Sequence, residues 1–388
     1  MPLDKGFWES GDPVGQSIFA GGFGWPLLVA RAGAVERNIA TMAAFARRHG
    51  LALAPHGKTT MAPTLWRAQL AAGAWGIAVA TADQARVCRE FGVPRVLVAN
   101  QLLDPAPLAW AAAETDAGLD LYFQVDSLEG VAVAAATRGT RPLRVLVEIG
   151  YPGGRTGCRS SAATLAVARA VAASPRLALA GVTGYEGGLP DAPAVAAFLD
   201  LLKTAAVELS DLLPPSVIVS AGGSSWFDVV AARLPGDWLP GHEVVPVLRS
   251  GAYISHDDGY YREHTPFNRV PGEGALEPAL ELWAQVISTP EPGLAIAGMG
   301  KRDASFDEGL PVPFAVRRPT GETSPAGGLT VTRLMDQHAF LAVDGRELAP
   351  GDLVRFGISH PCTAFDKWRA IPLVDDARVV VDVLRTYF

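Results

Sequence analysis

The strongest pattern in the chain is an alternation of short apolar runs with alanine-rich segments between residues 51 and 248. The runs are apolar at consecutive positions, which is typical of strands buried on both faces of a parallel sheet. The predicted strands are residues 51–54, 76–80, 95–99, 120–125, 144–149, 177–183, 216–221 and 243–248. The predicted helices between most of them are residues 64–72, 82–91, 105–117, 127–137, 161–173 and 191–210. The pattern therefore indicates the α/β class.

Eight strands that alternate with helices predict a (β/α)₈ TIM barrel. We place this domain at residues 26–270, beginning with a strand at 26–29 and a helix at 34–48. A doubly wound sheet is the structural alternative. The glycine-rich GxGxxG turn typical of such sheets does not follow the first strand, so the barrel is favoured.

The pattern changes near residue 270, where proline, glycine and β-branched residues become more frequent. Short runs joined by tight turns, such as Val343-Asp-Gly345, indicate antiparallel strands. These runs are residues 283–288, 293–297, 329–332, 340–343, 353–356 and 378–384. The sequence therefore predicts a C-terminal, mainly antiparallel β domain over residues 271–388, to which the N-terminal residues 1–25 are assigned.

Composition limits the function classes. A chain of 388 residues, 49% of them hydrophobic, can form more than one domain, and its net charge of -7 argues against nucleic acid as the main partner. No apolar run is long enough to span a membrane, and the N-terminus lacks the features of a signal peptide. Cys88, Cys158 and Cys362 are too sparse for a disulfide scaffold. We expect a cytoplasmic protein.

Lys58 follows the first predicted barrel strand. Pro55 ends that strand, which places His56, Gly57 and Lys58 on a turn at the carboxyl end of the sheet, where barrels carry their active sites. If burial lowers its pKa, a lysine amine there can form a Schiff base with a carbonyl cofactor. A solvated loop lysine is the alternative interpretation.

A second candidate is the turn Ala221-Gly-Gly-Ser-Ser225 after the seventh strand. Its bare backbone and hydroxyl groups suit a phosphate, although Gly-Gly-Ser also forms ordinary turns. Together with Lys58 in a barrel it indicates pyridoxal phosphate, which needs both an amine and a phosphate-binding loop. Other residues predicted at the carboxyl ends of strands are Arg155, Tyr185, Glu186, Gly251 and Tyr253.

His360 and Cys362 form a possible metal pair. On a strand, residues i and i+2 face the same way, and imidazole with thiolate suits zinc. Two ligands leave positions open for water or substrate, with His338 as a possible neighbour; a chance pair is the alternative. The polar run Ser255–His264 is either a solvated loop or a segment that faces the substrate.

These pieces together resemble the fold type III (alanine-racemase-like) pyridoxal-phosphate enzymes of the D-serine dehydratase and D-threonine aldolase family. The resemblance runs from about residue 25 to the end of the chain. It rests on Pro55-His-Gly-Lys-Thr59, Arg155-Thr-Gly157, Gly184-Tyr-Glu-Gly187, Ala221-Gly-Gly-Ser224, Gly251-Ala-Tyr253, Ser305-Phe-Asp-Glu-Gly-Leu-Pro311 and Ser359-His-Pro-Cys362, in the family's order. Departures at 59–61, 298–303 and 365–368 resemble the amino-acid deaminase subgroup and leave the substrate open.

The resemblance implies a set of site residues. Lys58 would be the Schiff-base lysine, and His360 and Cys362 would hold Zn²⁺ or another divalent metal. Cofactor contacts would come from His56, Lys58, Arg155, Tyr185, Gly222, Gly223, Ser224, Gly251, Tyr253 and Asp257. The family also implies a homodimer that acts on a small D-amino acid.

The implied reaction is dehydration of a D-β-hydroxy-α-amino acid, of the D-serine or D-threonine type, to a 2-oxo acid and ammonia. Retro-aldol cleavage to glycine and an aldehyde is the alternative, although aldolases of the family usually carry aspartate where Cys362 stands. A racemase would need a second base, for which Tyr253 is the candidate. A non-catalytic pyridoxal-phosphate carrier would resemble the barrel alone, without the β domain.

Overall fold

The computed structural model describes residues 4–9 and 11–388, and its strands form two sheets. In chain order the strands are β1 (Leu27–Arg31), β2 (Ala52–Leu53), β3 (Ile77–Val79), β4 (Arg95–Gln101), β5 (Asp120–Val125), β6 (Leu143–Ile149), β7 (Leu177–Gly184), β8 (Ser216–Ala221), β9 (Glu243–Leu248), β10 (Leu280–Glu291), β11 (Leu294–Ala297), β12 (Val312–Arg317), β13 (Thr323–Pro325), β14 (Leu329–Leu334), β15 (Ala339–Val343), β16 (Leu353–Gly357), β17 (Ala370–Val374) and β18 (Val380–Arg385).

Helices follow most strands of the first half of the chain. They are α1 (Ala32–Arg48), α2 (Pro63–Ala71), α3 (Ala82–Glu90), α4 (Pro105–Asp116), α5 (Leu128–Ala135), α6 (Ser161–Ala173), α7 (Ala192–Glu208), α8 (Phe227–Arg233), α9 (Tyr260–His264) and α10 (Cys362–Phe365). The short helices α8, α9 and α10 were not predicted, because they are too brief to show a helical period. Across the described residues, none of the helices combines the length and apolar character that a bilayer crossing requires.

The first sheet is the predicted barrel. Strands β2 to β9 form an eight-stranded parallel sheet in the order β2-β9-β8-β7-β6-β5-β4-β3. The two end strands meet through a parallel bridge between His56 and Ala78, where the Ala78 N–H donates to the Pro55 carbonyl at 2.9 Å. All eight predicted strands lie in this sheet, and the predicted fold class is confirmed. The junction of the two end strands, β2 and β3, therefore lies at His56.

Both faces of the parallel strands are buried, which explains their continuous apolar runs. Along β4, Val96 and Val98 pack in the large cluster that includes the helices, whereas Leu97 packs in a separate cluster inside the barrel. Alternate side chains of a strand point to opposite faces, so a strand such as β4 contributes to both clusters. The inner cluster consists of Ala54, Ala78, Leu97, Tyr122, Leu146, Ile218 and Val247.

The second sheet contains the remaining ten strands and is mainly antiparallel. Its central order is β13-β12-β16-β10-β1-β17-β18, with β11, β14 and β15 attached through β10. The sequence did not predict β12, β13 and β17. Each contains a proline, at Pro313, Pro325 and Pro372, and proline is uncommon inside strands because it cannot donate a ladder hydrogen bond.

Strand β1 lies in the second sheet, although we assigned residues from 26 onward to the barrel. It pairs antiparallel with β10 and parallel with β17. Its apolar side chains do not distinguish between the two sheets, because central strands of both are buried on two faces. The chain passes from β1 directly into α1, so the N-terminal segment joins the two sheets.

Asn38 on α1 reinforces this junction. Its side chain is fully buried, and its amide Nδ2 donates to the carbonyls of Ile254 at 3.2 Å and Glu277 at 2.8 Å. Its Oδ1 accepts from the Glu277 N–H at 2.8 Å. One side chain thus holds the connection between β9 and β10 against the barrel helix.

Replacing Asn38 with alanine is expected to lower the free energy of unfolding by about 2–4 kcal/mol, because three backbone groups lose their buried partner. Urea denaturation followed by tryptophan fluorescence measures the change. Glu36→Ala, at an exposed position of the same helix, is the matched control and should change the free energy by less than about 0.5 kcal/mol. Equal stability of the two variants would contradict the role of Asn38.

Candidate active site

A cavity of about 330 Å³ opens at the carboxyl ends of the barrel strands, where loops of both sheets meet. Predicted site residues that line it are His56, Lys58, Tyr185, Gly223, Ser224, Gly251, Asp257, His360 and Cys362. Arg155 and Gly222 line a narrower adjoining cavity of about 50 Å³, to which His56, Lys58 and Tyr185 also belong. The structure therefore gathers nearly all of the predicted residues, from segments 300 residues apart, around one space.

Lys58 lies on a short 3₁₀ turn, Gly57–Thr59, that follows β2. Its amine is held at the cavity, and burial lowers the pKa of Lys58, with a further contribution from the charge of Arg155. A lowered pKa increases the neutral fraction of the amine, and only the neutral amine is a nucleophile. The solvated-loop interpretation of Lys58 does not describe this position.

His56 is the neighbour of Lys58 at the base of the cavity. Burial, together with the positive charges of Lys58 and Arg249, lowers the pKa of His56 well below its usual range. Its Nδ1 is buried, and no group in the described part of the chain forms a hydrogen bond with it. A buried polar atom without a partner is costly, so this nitrogen is available to a bound ligand.

Glu186, which is fully buried, stabilises the glycine-rich loop after β8. The N–H groups of Gly222 and Gly223 donate to Glu186 Oε2 and Oε1 at 3.0 and 2.5 Å. These two N–H groups, which we had expected to bind a phosphate, are therefore already engaged. The loop still offers Ser224 and Ser225 to the cavity, and the Ser224 hydroxyl also accepts from the Ala252 N–H at 3.3 Å.

Arg249 at the end of β9 is a site residue that the sequence analysis missed. It is buried, lines both cavities, and donates to the hydroxyls of Thr183 at 2.9 Å and Ser220 at 2.5 Å. It also donates to the Gly184 carbonyl at 2.7 Å, and burial lowers the pKa of its guanidinium. The signal in the sequence was a lone arginine that ends an apolar strand, at the edge where active sites form.

Arg155 and Tyr185 both line the narrower cavity. The Arg155 guanidinium lies over the Tyr185 ring, 4.2 Å from its centroid, which is a cation–π geometry. Burial, followed by the charge of Glu186, raises the pKa of the Tyr185 hydroxyl. Tyr185 therefore presents a neutral aromatic ring to the cavity.

Tyr253 and Asp257 have different surroundings. Tyr253 does not line either cavity; it is packed in the core, and its hydroxyl accepts from Gln69 Nε2 at 2.9 Å.

Asp257 lines the cavity, and its Oδ1 accepts from the N–H groups of Gly259 and Tyr261 at the start of α9. Burial raises the pKa of Asp257 to about 6. Since Tyr260 and Tyr261 also line the cavity, the run 255–264 faces the space where a substrate would bind.

His360 and Cys362 lie together, although not on a strand. The chain leaves β16 at Gly357, and Cys362 is the first residue of α10, so a turn brings the two side chains together. Their hydrogen bond raises the pKa of His360 to about 9. The Cys362 thiol donates to Thr59 Oγ1 at 3.5 Å, which places the pair beside the Lys58 turn. His338 lies in the exposed turn between β14 and β15, outside the cavity.

The donor set fits an open metal site. Imidazole and thiolate are zinc ligands, and two protein ligands leave the other positions to water or substrate. Within residues 4–9 and 11–388, no three His, Cys, Asp or Glu side chains are grouped to enclose a metal. His360 and Cys362 could therefore supply two ligands of an open site, but not by themselves a closed structural one.

Comparison with known protein families identifies both parts of the chain. Residues 31–237 match the family model described as the alanine racemase N-terminal domain. Residues 279–374 match the model of a serine dehydratase domain. The first match covers most of the barrel, and the second begins where β10 begins and ends with β17.

Individual relatives cover most of the chain. D-threonine aldolase of Arthrobacter sp. is 28% identical over 374 residues, which are 92% of this chain and 90% of the relative. D-threo-3-hydroxyaspartate dehydratase of Delftia sp. (strain HT23) is 29% identical over 287 residues, 71% of each chain. The crystal structure of D-threonine aldolase from Filomicrobium marinum matches with a TM-score of 0.80 over 97% of this chain and 98% of that chain, at 23% identity. These matches confirm the predicted fold resemblance.

We predict that Glu186→Gln weakens the binding of pyridoxal phosphate about tenfold, because the glutamine NH₂ would oppose one of the two glycine N–H groups and distort the loop. Titration of the apoprotein with the cofactor, followed by absorbance, measures the dissociation constant. Glu129→Gln makes the same chemical change at an exposed position of α5 and should leave that constant unchanged. Wild-type affinity in Glu186→Gln would show that the loop does not depend on this carboxylate.

Proposed function

This chain belongs to the family of the alanine racemase N-terminal domain, and on that premise we propose that it is a pyridoxal-phosphate- and zinc-dependent enzyme that dehydrates a D-β-hydroxy-α-amino acid. Its relatives are named aldolases and dehydratases, so the predicted lyase class is confirmed. The observation that carries the proposal is one cavity that contains both a buried lysine amine and a His–Cys pair. The barrel supplies Lys58, and the loop after β16 supplies His360 and Cys362.

The family implies pyridoxal phosphate, and the residues present fit it. Lys58 offers the amine that holds the cofactor aldehyde, and Ser224 and Ser225 offer hydroxyls for its phosphate. The cavity of about 330 Å³ lies within the usual range of roughly 300–1,000 Å³ for such sites. When bound, pyridoxal phosphate supplies an electron sink for charge that develops at the α-carbon.

Lys58 is the proposed base. Its amine lines the cavity in which the substrate would bind, and burial lowers its pKa, so that it would be able to accept a proton. It therefore accepts the α-proton from the face of the substrate on which it lies. The distance between the lysine turn and the metal pair is short, because Thr59 contacts Cys362 at 3.5 Å.

His360 and Cys362 are the proposed zinc ligands. When bound there, zinc supplies a Lewis acid for a substrate hydroxyl, which makes hydroxide a better leaving group. Loss of the α-proton to Lys58 and of the β-hydroxyl on the side of His360 and Cys362 would together amount to the loss of water. The released enamine takes up water and hydrolyses to a 2-oxo acid and ammonia.

Retro-aldol cleavage is the second candidate. A relative that covers 92% of this chain is named D-threonine aldolase, and the same cavity would serve that reaction if the β-hydroxyl lost its proton and the Cα–Cβ bond broke. Cys362 favours dehydration, because aldolases of the family that this chain resembles usually carry aspartate at the position of Cys362. The racemase alternative is disfavoured, because Tyr253 is buried and bound to Gln69. A cofactor carrier would not need the second sheet.

We further propose that the enzyme acts as a homodimer whose partner covers the cavity mouth. Exposed apolar side chains favour contact with another protein surface. Tyr260, which lines the cavity, is one of them, and Phe306, Leu310 and Val312 are others close in sequence to Glu308 of the cavity lining. A partner that covers the mouth would also exclude water from the site.

Product analysis tests the proposed reaction. The zinc-loaded holoenzyme is mixed with D-threonine, and the products are compared with those of a chelated sample and of a chelated sample given zinc again. We expect 2-oxobutanoate and ammonia, loss of turnover on chelation, and its return with zinc. Glycine and acetaldehyde instead would assign the aldolase reaction. Full turnover in the chelated sample would contradict the proposed role of zinc in the reaction.

A further inference from the structure

We propose that Asp307 is the positioning residue of the metal site and that it fixes His360 in the orientation that binds zinc. This inference rests on the proposed function, because it assumes that His360 and Cys362 hold a metal. Asp307 lies in the loop between β11 and β12, outside the segment that carries the two ligands. Asp307 is not among the residues that line the cavity.

The contact between Asp307 and His360 is short and specific. Oδ2 of Asp307 lies 2.6 Å from Nδ1 of His360. The other carboxylate oxygen, Oδ1, accepts from the Thr363 hydroxyl at 2.8 Å. Both oxygens are thus engaged, so the carboxylate has one preferred orientation and in turn restricts the rotation of the imidazole ring.

This geometry determines which nitrogen can bind a metal. A carboxylate only accepts hydrogen bonds, so Nδ1 of His360 carries the hydrogen and donates it to Asp307. The remaining nitrogen, Nε2, is left for a ligand, and Cys362 lines the same cavity as His360. Carboxylate–histidine–metal arrangements of this kind orient the ring and strengthen it as a ligand.

Other contacts hold the two loops together without Asp307. The Ser359 hydroxyl donates to the Gly309 carbonyl at 2.6 Å, and the His360 N–H donates to the Ser305 hydroxyl at 3.4 Å. The side chains of His360 and Asp307 are 32% and 44% exposed, and ion pairs at such exposed positions contribute little to folding. Removing the Asp307 carboxylate should therefore change the metal site while the loop stays in place.

Glu308 provides a matched control. It is the next residue in the same exposed loop and lines the cavity, but its carboxylate has no hydrogen bond to His360. Glu308→Gln removes one negative charge near the metal pair, as Asp307→Ala does. A difference between the two variants therefore reports the hydrogen bond to the ring and not the local charge.

The test is zinc affinity of the pyridoxal-phosphate-loaded, metal-stripped protein, measured by competition with a chromogenic chelator. For Asp307→Ala we expect the dissociation constant to rise about 10- to 100-fold. Asp307→Asn keeps an acceptor oxygen and should recover part of that loss. Glu308→Gln should stay within about twofold of the wild type, and the cofactor absorbance of all variants, which reports an intact site, should be unchanged.

Three results would overturn the inference in distinguishable ways. If the wild type binds zinc tightly and Asp307→Ala binds it equally well, the metal site stands and Asp307 does not position His360. If the wild type binds no zinc, the proposed metal site fails, and the role of Asp307 fails with it. An equal loss in Asp307→Ala and Glu308→Gln would assign the effect to charge alone and contradict positioning.

Discussion

The site depends on one contact between the two sheets, where the loop that follows β16 meets the turn that follows β2. The Cys362 thiol reaches Thr59 Oγ1 at 3.5 Å, and Thr59 is the neighbour of Lys58. Because of this contact, a lysine from residue 58 and a His–Cys pair from the end of the chain share one cavity. The packing of the second sheet on the barrel mouth is therefore part of the chemistry, since neither sheet contains both halves of the site.

Two buried charged side chains stabilise the loops at the mouth of the barrel. Arg249 and Glu186 are both buried, and each is held by several hydrogen bonds to strand ends or loop N–H groups. A buried charge is costly unless it is paired in this way. Their role is to fix the loops after β7, β8 and β9, which carry Tyr185 and the serines of the cavity. Lys58 and Arg249 line the same cavities, and burial lowers the pKa of the Lys58 amine.

Sequence patterns predicted the barrel well, because each buried parallel strand is apolar on both faces and leaves a continuous run. They failed where that physical signal was absent. Strands β12, β13 and β17 contain proline, and β1 is apolar in a way that suits either sheet. Arg249 was missed because a single charged residue at a strand end has no distinctive spacing. His360 and Cys362 line one cavity, but a turn and not a strand brings them there, and Tyr253 is packed in the core.

The most direct test of the account is to reduce the cofactor-loaded enzyme with borohydride and to map the modified peptide by mass spectrometry. Reduction converts a Schiff base into a stable secondary amine, so the cofactor stays attached to the lysine that held it. Of the lysines in the described part of the chain, only Lys58 lines the cavity. We predict that the phosphopyridoxyl group is found on Lys58. Its presence on Lys5, Lys203, Lys301 or Lys367, or on no lysine of a protein that binds the cofactor, would contradict the account.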